Sequence, residues 1–393
     1  MDGVRTPLIL FEWLYGEQSI HPFNTVKQAR WLGRAADRIM LRKALLFSVC
    51  TVVPLLIVEW YARQHFVDYV EDEAYFELAF NRLLNSLVIP ATEQSNSPLF
   101  GYALTPNARR TVTTDDFTYH IQTNSLGFRT REIAPRDGDE QRLLLFGDSM
   151  LFGVGLEEEQ AVAGQLERIS ANAGQPLSVY NYAMLHFSTV QSLIAARAFA
   201  PQLAPNHMLL GIFVANDLLP NAIAYADEHN HLAYDAADIE RLRTALHSYI
   251  RPLMPSIALR AWALQAWMPR LRYAFSTEEH FLSATHGLID QFAHLATSLG
   301  ARPSVVIIYP RYALENSLIR VWSGSRKPGR DLAEYCRQRD IAVLDLLDHM
   351  NGNGDAQRYY YTTDGHFNGA GNARVAQAIY SDLLVAEKGD MPR

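Results

Sequence analysis

Four short clusters in this chain hold residue types that can do acyl-transfer chemistry. Gly147-Asp148-Ser149 follows the apolar run RLLLF, where a serine in a tight strand-to-helix turn is exposed and its own N–H can face a reacting carbonyl. Asn181-Tyr182-Ala183-Met184-Leu185-His186 ends a second apolar run, and Ala215-Asn216-Asp217 ends a third. An asparagine amide is a good donor to a developing oxyanion. Asp364-Gly365-His366 stands before the last helical stretch. In an extended loop, residues two apart share a face, so the carboxylate and imidazole are presented together. A carboxylate so placed can orient and charge-stabilise an imidazole base.

These clusters need a scaffold that brings strand ends together. RLLLF, LSVYNYA (177–183), HMLLGIFV (207–214), SVVIIYP (304–310) and IAVLDLL (341–347) read as buried strands. Helical patterns follow Ser149, over STVQSLIAARAFAPQL (188–203) and over AGNARVAQAIYSDLLVA (370–386). The alternation predicts an α/β fold, a parallel sheet of about five strands between two helical layers. Sites in such sheets lie beyond the C-terminal strand ends, where all four clusters fall. Between the third and fourth strands lies a mostly helical insertion, about 218–300, with Trp262 and Trp267 in an aromatic helix that reads as core or lid packing.

The order of the clusters resembles the SGNH/GDSL hydrolases, a family of serine esterases and acyltransferases, over about residues 141–386 with the insertion unmatched. The resemblance implies the flavodoxin-like three-layer α/β/α fold and makes Ser149 the nucleophile, with His366 and Asp364 completing the triad. Its oxyanion hole would comprise the Ser149 N–H, the Asn216 side chain and a backbone N–H of the second cluster. The glycine expected in that cluster falls on His186, with Ala183 the other small-residue site. The glycine of G-x-N-D is Val214 here. The D-x-H-F-N form resembles bacterial envelope members, including those that O-acetylate exopolysaccharides. Asn124-Ser125-Leu126-Gly127-Phe128-Arg129 resembles a segment preceding G-D-S in membrane-anchored members.

Ala44–Val58 carries no charge, and extension to Ala62 gives about the 20 residues that span a bilayer. Arg30, Arg34, Arg38, Arg42 and Lys43 precede it, while Asp68, Glu71, Asp72, Glu73 and Glu77 follow. This asymmetry predicts a cytoplasmic segment 1–43, a transmembrane signal anchor 44–62 and an extracytoplasmic remainder. In a two-membrane bacterium the catalytic part would be periplasmic, attached to the inner membrane. Residues 25–43 have helical spacing with a basic face, suited to the membrane surface or to a solvated helix. Residues 63–140 read as a stalk, helical over 67–88, and a β extension in which RRTVTTDDFTYHIQTN forms a hairpin. Residues 387–393 are a tail.

The 393 residues carry a net charge of -7, with 49 % hydrophobic and 20 % charged side chains. This excludes a disordered chain, and the lack of basic excess argues against nucleic-acid partners. Cys50 and Cys336 lack metal-ligand spacing and are not expected to pair. Glu228-His229-Asn230-His231 has no completing ligands, so no metal is expected. Gly153 and Gly155 do not complete a dinucleotide fingerprint, and no cofactor is expected. Three functions remain open. One is an extracytoplasmic esterase acting on ester, foremost O-acetyl, groups. Another is an O-acyltransferase modifying an envelope or exopolysaccharide glycan, with a membrane partner supplying the acyl group. The third is a non-catalytic glycan-binding scaffold.

Overall fold

The computed structural model describes residues 40, 42–43, 46–62, 64, 97–250, 279–315, 324–350 and 356–385. Contacts divide the chain into two units, Met1–Val70 with Ser256–Ala258, and Glu71–Pro255 with Leu259–Arg393. In the first unit, residues 46–62 are helical. Leu46, Phe47, Leu55, Leu56, Ile57 and Trp60 are exposed on that helix. Among the described residues, no helix is long and apolar enough to cross a membrane. Residues 25–39, the 67–88 stalk, Trp262, Trp267 and the 387–393 tail lie outside the described residues.

The second unit opens with an antiparallel hairpin, β1 (Arg109–Thr113) and β2 (Thr118–Gln122). Along β2, Tyr119 and Ile121 are buried while Thr118, His120 and Gln122 face out, the period-2 pattern of a half-buried strand. The main sheet begins at β3 (Gln141–Phe146), whose Leu143, Leu144, Leu145 and Phe146 have no exposed surface. A one-turn helix α1 (Ser149–Phe152) and then α2 (Val162–Asn172) lead to β4 (Leu177–Asn181). Next come α3 (Thr189–Leu203), started by a Ser188–Gln191 capping box, and β5 (His207–Phe213).

After β5 come α4 (Leu218–Ile223), a small hairpin of β6 (Ala224–Ala226) and β7 (Leu232–Tyr234), α5 (Ala236–Ile250) and α6 (Glu279–Ser298). The sequence pattern had no signal for the short hairpin. Its three-residue strands contain too few positions to alternate. Helix α6 packs on the sheet through Ile289, Phe292 and Ala296, so the end of the insertion is part of the layered core. Then follow β8 (Arg302–Ile308), α7 (Lys327–Gln338), β9 (Ala342–Asp345) and α8 (Gly369–Ala378), which continues as a π-helix over Ile379–Val385.

The five strands β4-β3-β5-β8-β9 are parallel throughout. Representative partners are Leu144 with Tyr180, Leu145 with Leu209, Leu210 with Val305, and Val306 with Leu344. In chain order this is 2-1-3-4-5, the doubly wound arrangement expected from the strand pattern. Helices α3, α6 and α7 cover one side, while α2 and α8 with its π-helical end group together on the other. Strand order reverses between β3 and β5, so the loops leaving those two strands bound the switch point of the sheet.

Candidate active site

Serine 149 lies at the first position of α1, immediately after β3. Asp148 caps this helix, its extended backbone letting Oδ1 accept the Met150 N–H at 2.9 Å. Gly153 ends the helix in the left-handed conformation. Among the described residues the Ser149 N–H donates to no protein group, as expected at a helix start. It is therefore free for a substrate oxygen.

The loop 359–368 brings His366 to this serine. Tyr360 and Phe367 pair across it, the Tyr361 N–H donates to the His366 carbonyl at 3.1 Å, and the Asn368 N–H donates to the Tyr359 carbonyl at 3.0 Å. Asn368 then caps α8 by accepting the Gly371 N–H at 3.0 Å. Arg311, just after β8, donates to the Tyr361 and Thr362 carbonyls at 3.1 and 2.9 Å. Closed this way, the loop sets His366 Nε2 at 2.8 Å from Ser149 Oγ.

Asp364 Oδ1 accepts from the His366 N–H at 2.8 Å and lies 2.5 Å from His366 Nδ1. The carboxylate fixes the tautomer: Nδ1 carries the proton, leaving Nε2 to accept from the serine hydroxyl. The His366 hydrogen bond holds the Asp364 carboxyl below the usual carboxylate range, against the opposing effect of burial. Asp364 is therefore ionised wherever a neutral imidazole base works.

Asn216 follows β5, and its Nδ2 donates to Asp148 Oδ2 at 3.0 Å. Among the described residues the second hydrogen of that amide has no protein acceptor. Val214, at the expected glycine position, has no left-handed backbone, and its N–H bonds the Ile308 carbonyl at 3.0 Å. A β-branched residue is therefore accommodated there without strain.

The second cluster separates its two candidates. Ala183 is buried and its N–H already donates to Asn181 Oδ1 at 3.1 Å. It has no donor to offer, which corrects its expected place in the oxyanion hole. His186 is exposed, with a φ of 60° in the region favoured by glycine. Among the described residues its backbone N–H has no acceptor. The loop is braced on one side by the Tyr102 hydroxyl, which donates to the Leu185 carbonyl at 2.6 Å. The histidine thus holds a backbone conformation that glycine adopts more easily.

Beneath the site lie two buried acids. Burial, as the largest cause, pushes Asp148 up to about 6, opposed by its bonds from Met150 and Asn216 and by His366. Asp217 is also raised well above the carboxylate range, by burial first and then by the neighbouring Asp148 charge. Its Oδ2 accepts the Phe213 N–H at 2.8 Å, whereas Oδ1 is buried without a partner. Both Asp148 oxygens accept hydrogen bonds, from Met150 and Asn216, which oppose the upward push of burial, whereas Asp217 accepts only from Phe213.

Sequence reasoning did not pick out Asp116, Tyr102 or Arg311. Asp116 sits in a Thr-Thr-Asp-Asp turn, where aspartate is ordinary turn chemistry, and its partners lie far along the chain. Among the described residues, His229 and His231 belong to no group able to hold a metal. Cys336 is buried and Cys50 exposed, both as free thiols.

No family model matches the chain, and no curated protein matches it. Solved structures do. A psychrotrophic esterase from Pseudoalteromonas sp., in a structure inhibited by monoethylphosphonate, is 11 % identical, covering 63 % of this chain and 100 % of its own at a TM-score of 0.35. A GDSL-like lipase from Bacteroides thetaiotaomicron is 12 % identical, covering 65 % of this chain and 92 % of its own at 0.38. A lipolytic G-D-S-L protein from Veillonella parvula is 10 % identical, covering 62 % and 99 % at 0.37. The chain is similar to solved esterases and lipases of the GDSL type.

Proposed function

We propose that the protein is an SGNH-type serine esterase working through an acyl-enzyme. The observation that carries this reading is the continuous relay from Asp364 through His366 to Ser149, at 2.5 and 2.8 Å. His366 Nε2 takes the hydroxyl proton as Ser149 Oγ bonds to the ester carbonyl carbon. The oxyanion is met by the N–H groups of Ser149 and His186 and by the Asn216 amide. Loss of one such donor typically costs about 3 kcal/mol of the barrier. As the tetrahedral centre collapses, the C–O bond to the alcohol breaks and the imidazolium gives the alcohol its proton. Water, activated by the same imidazole, then hydrolyses the acyl-serine.

O-acetyl esters are the substrate class we favour, because the D-x-H-F-N loop resembles that of bacterial envelope members, including those that O-acetylate exopolysaccharides. The same loop supports an O-acyltransferase as the second reading, with a sugar hydroxyl in place of water and a membrane partner supplying the acyl group. The exposed apolar residues of the 46–62 helix, together with the charge asymmetry around it, support an anchor that keeps the catalytic part outside the cytoplasmic membrane.

Ser149→Ala is expected to abolish labelling by a fluorophosphonate and acetate release from p-nitrophenyl acetate. Fast release that ignores an added glycan identifies a hydrolase. Release that accelerates as the glycan becomes acetylated identifies a transferase. Labelling that persists unchanged in the alanine variant removes Ser149 from the nucleophile role.

A further inference from the structure

We propose that Asp116, at the tip of the β1–β2 hairpin, is a positioning residue for the catalytic loop; this rests on the serine-esterase reading above. One carboxylate oxygen, Oδ2, accepts three hydrogen bonds from the residues at the head of the D-x-H cluster. The Thr363 N–H donates at 2.8 Å, the Thr363 hydroxyl at 2.5 Å and the Asp364 N–H at 2.7 Å. Hydrogen bonds to an ionised acceptor are short and about twice as strong as neutral ones. These bonds also hold the Asp116 carboxyl below its ordinary range.

The rest of the loop has other supports. Arg311 holds Tyr361 and Thr362, while the Tyr360–Phe367 pair and Asn368 hold the two ends. For Thr363 and Asp364 the situation differs. Among the described residues, their backbone N–H groups have no acceptor except Asp116. Gly365, which follows, has open space where a side chain would be and adds no restraint of its own. Without Asp116, the short piece that aims the Asp364 carboxylate would be tied only through His366.

The hairpin tip is itself fixed. The Thr114 N–H donates to the Phe117 carbonyl at 2.9 Å, closing the turn. The Phe117 ring packs on the Tyr361 ring with centroids 4.6 Å apart. The Tyr361 hydroxyl donates to the Gly155 carbonyl at 2.8 Å, in the turn that follows the serine helix. Asp116 therefore links a rigid hairpin outside the five-stranded sheet to the Asp364–His366–Ser149 relay. A displacement of about 1 Å in such a relay can lower the rate about 10²-fold.

The test compares Asp116→Ala and Asp116→Asn in the full chain. Fluorophosphonate labelling rates and p-nitrophenyl acetate kinetics are read beside the thermal midpoint. Alanine is expected to lower kcat and the labelling rate about 10- to 100-fold, with KM changed less than about threefold. Asparagine keeps an acceptor oxygen and is expected to recover most of the loss. Thr363→Val, which removes one donor of the three, should give a smaller loss than alanine and covers the case of an alanine variant that does not fold. An alanine variant that labels at the wild-type rate overturns the proposal, as does a loss confined to KM. Equal losses in alanine and asparagine also overturn it. Wild-type protein that labels no better than Ser149→Ala would instead defeat the esterase reading.

Discussion

A histidine held at a φ of 60° is an unusual choice beside a nucleophile. An L-residue pays about 1–2 kcal/mol in the left-handed region, and glycine enters it without that penalty. At His186 the backbone N–H is the donor proposed for the oxyanion hole, and the Tyr102 bond to the Leu185 carbonyl braces the loop beside it. His186→Gly is therefore expected to raise stability by about 0.5–1 kcal/mol, after allowing for the greater freedom of an unfolded glycine. Labelling of Ser149 should stay within about twofold, because the N–H is retained. Urea denaturation and fluorophosphonate kinetics check the two halves. A large loss of labelling would show that the imidazole contributes beyond the backbone donor. The sequence marked this position as a departure from a glycine pattern. It could not reveal that the chain keeps the glycine conformation, because φ is set by the turn and its Tyr102 brace.

Arg129 shows how the elements depend on one another. Its side chain is buried, and its guanidinium donates to the carbonyls of Gly153 at 3.0 Å, Leu156 at 2.6 Å and His120 at 3.1 Å. It also lies over the Tyr119 and Phe152 rings at 5.5 Å. One side chain thus joins β2 to the turn that ends the serine helix. Arg129→Met would fill much of the same space but strand those buried carbonyls, and about 3 kcal/mol of stability should be lost. Urea denaturation measures this. A change below 1 kcal/mol would mean that water or backbone movement satisfies the carbonyls. The segment Asn124–Arg129 was legible as a pattern, but its role was not, since it depends on contacts across the fold. The same contrast runs through the molecule. The five parallel strands were legible because buried strands are continuous apolar runs, and the meeting of Ser149 with His366 was legible because one cluster follows a strand and the other precedes the last helix. The β6–β7 hairpin and the Asp116 tether were not. One is too short to have a period, and the other joins residues separated by most of the catalytic domain.

At the scale of the whole molecule, the C-terminal ends of β3 and β5 gather Ser149, Asn216 and two buried carboxyls, Asp148 and Asp217. Concentrating acids there has a consequence for global stability. Asp148, pushed up to about 6 chiefly by burial, has an unfolded value of 3.8. Asp217 is raised in the same direction, again chiefly by burial. A raised folded pKa means that the stabilising contribution is complete below about pH 4 and is lost as pH rises through about 6. For Asp148 alone the shift corresponds to about 3 kcal/mol. Asp364 and Asp116 act in the opposite sense. Their values are lowered, so their contribution is present above the unfolded value and is lost only as pH falls below about 4. Between pH 4.5 and 7 the buried pair therefore lowers stability as pH rises, as do Glu158 and Asp345, which burial also raises, while His186 and His286, lowered by burial, act the other way. Asp217→Asn removes one member while keeping an oxygen to accept the Phe213 N–H. Relative to wild type, this variant should gain about 1–3 kcal/mol between pH 4.5 and 7, as ionisation of Asp148 no longer competes with a second acid. Urea denaturation of both proteins at the two pH values tests the difference. A constant gap across that range would mean that the two carboxyls do not influence each other's ionisation.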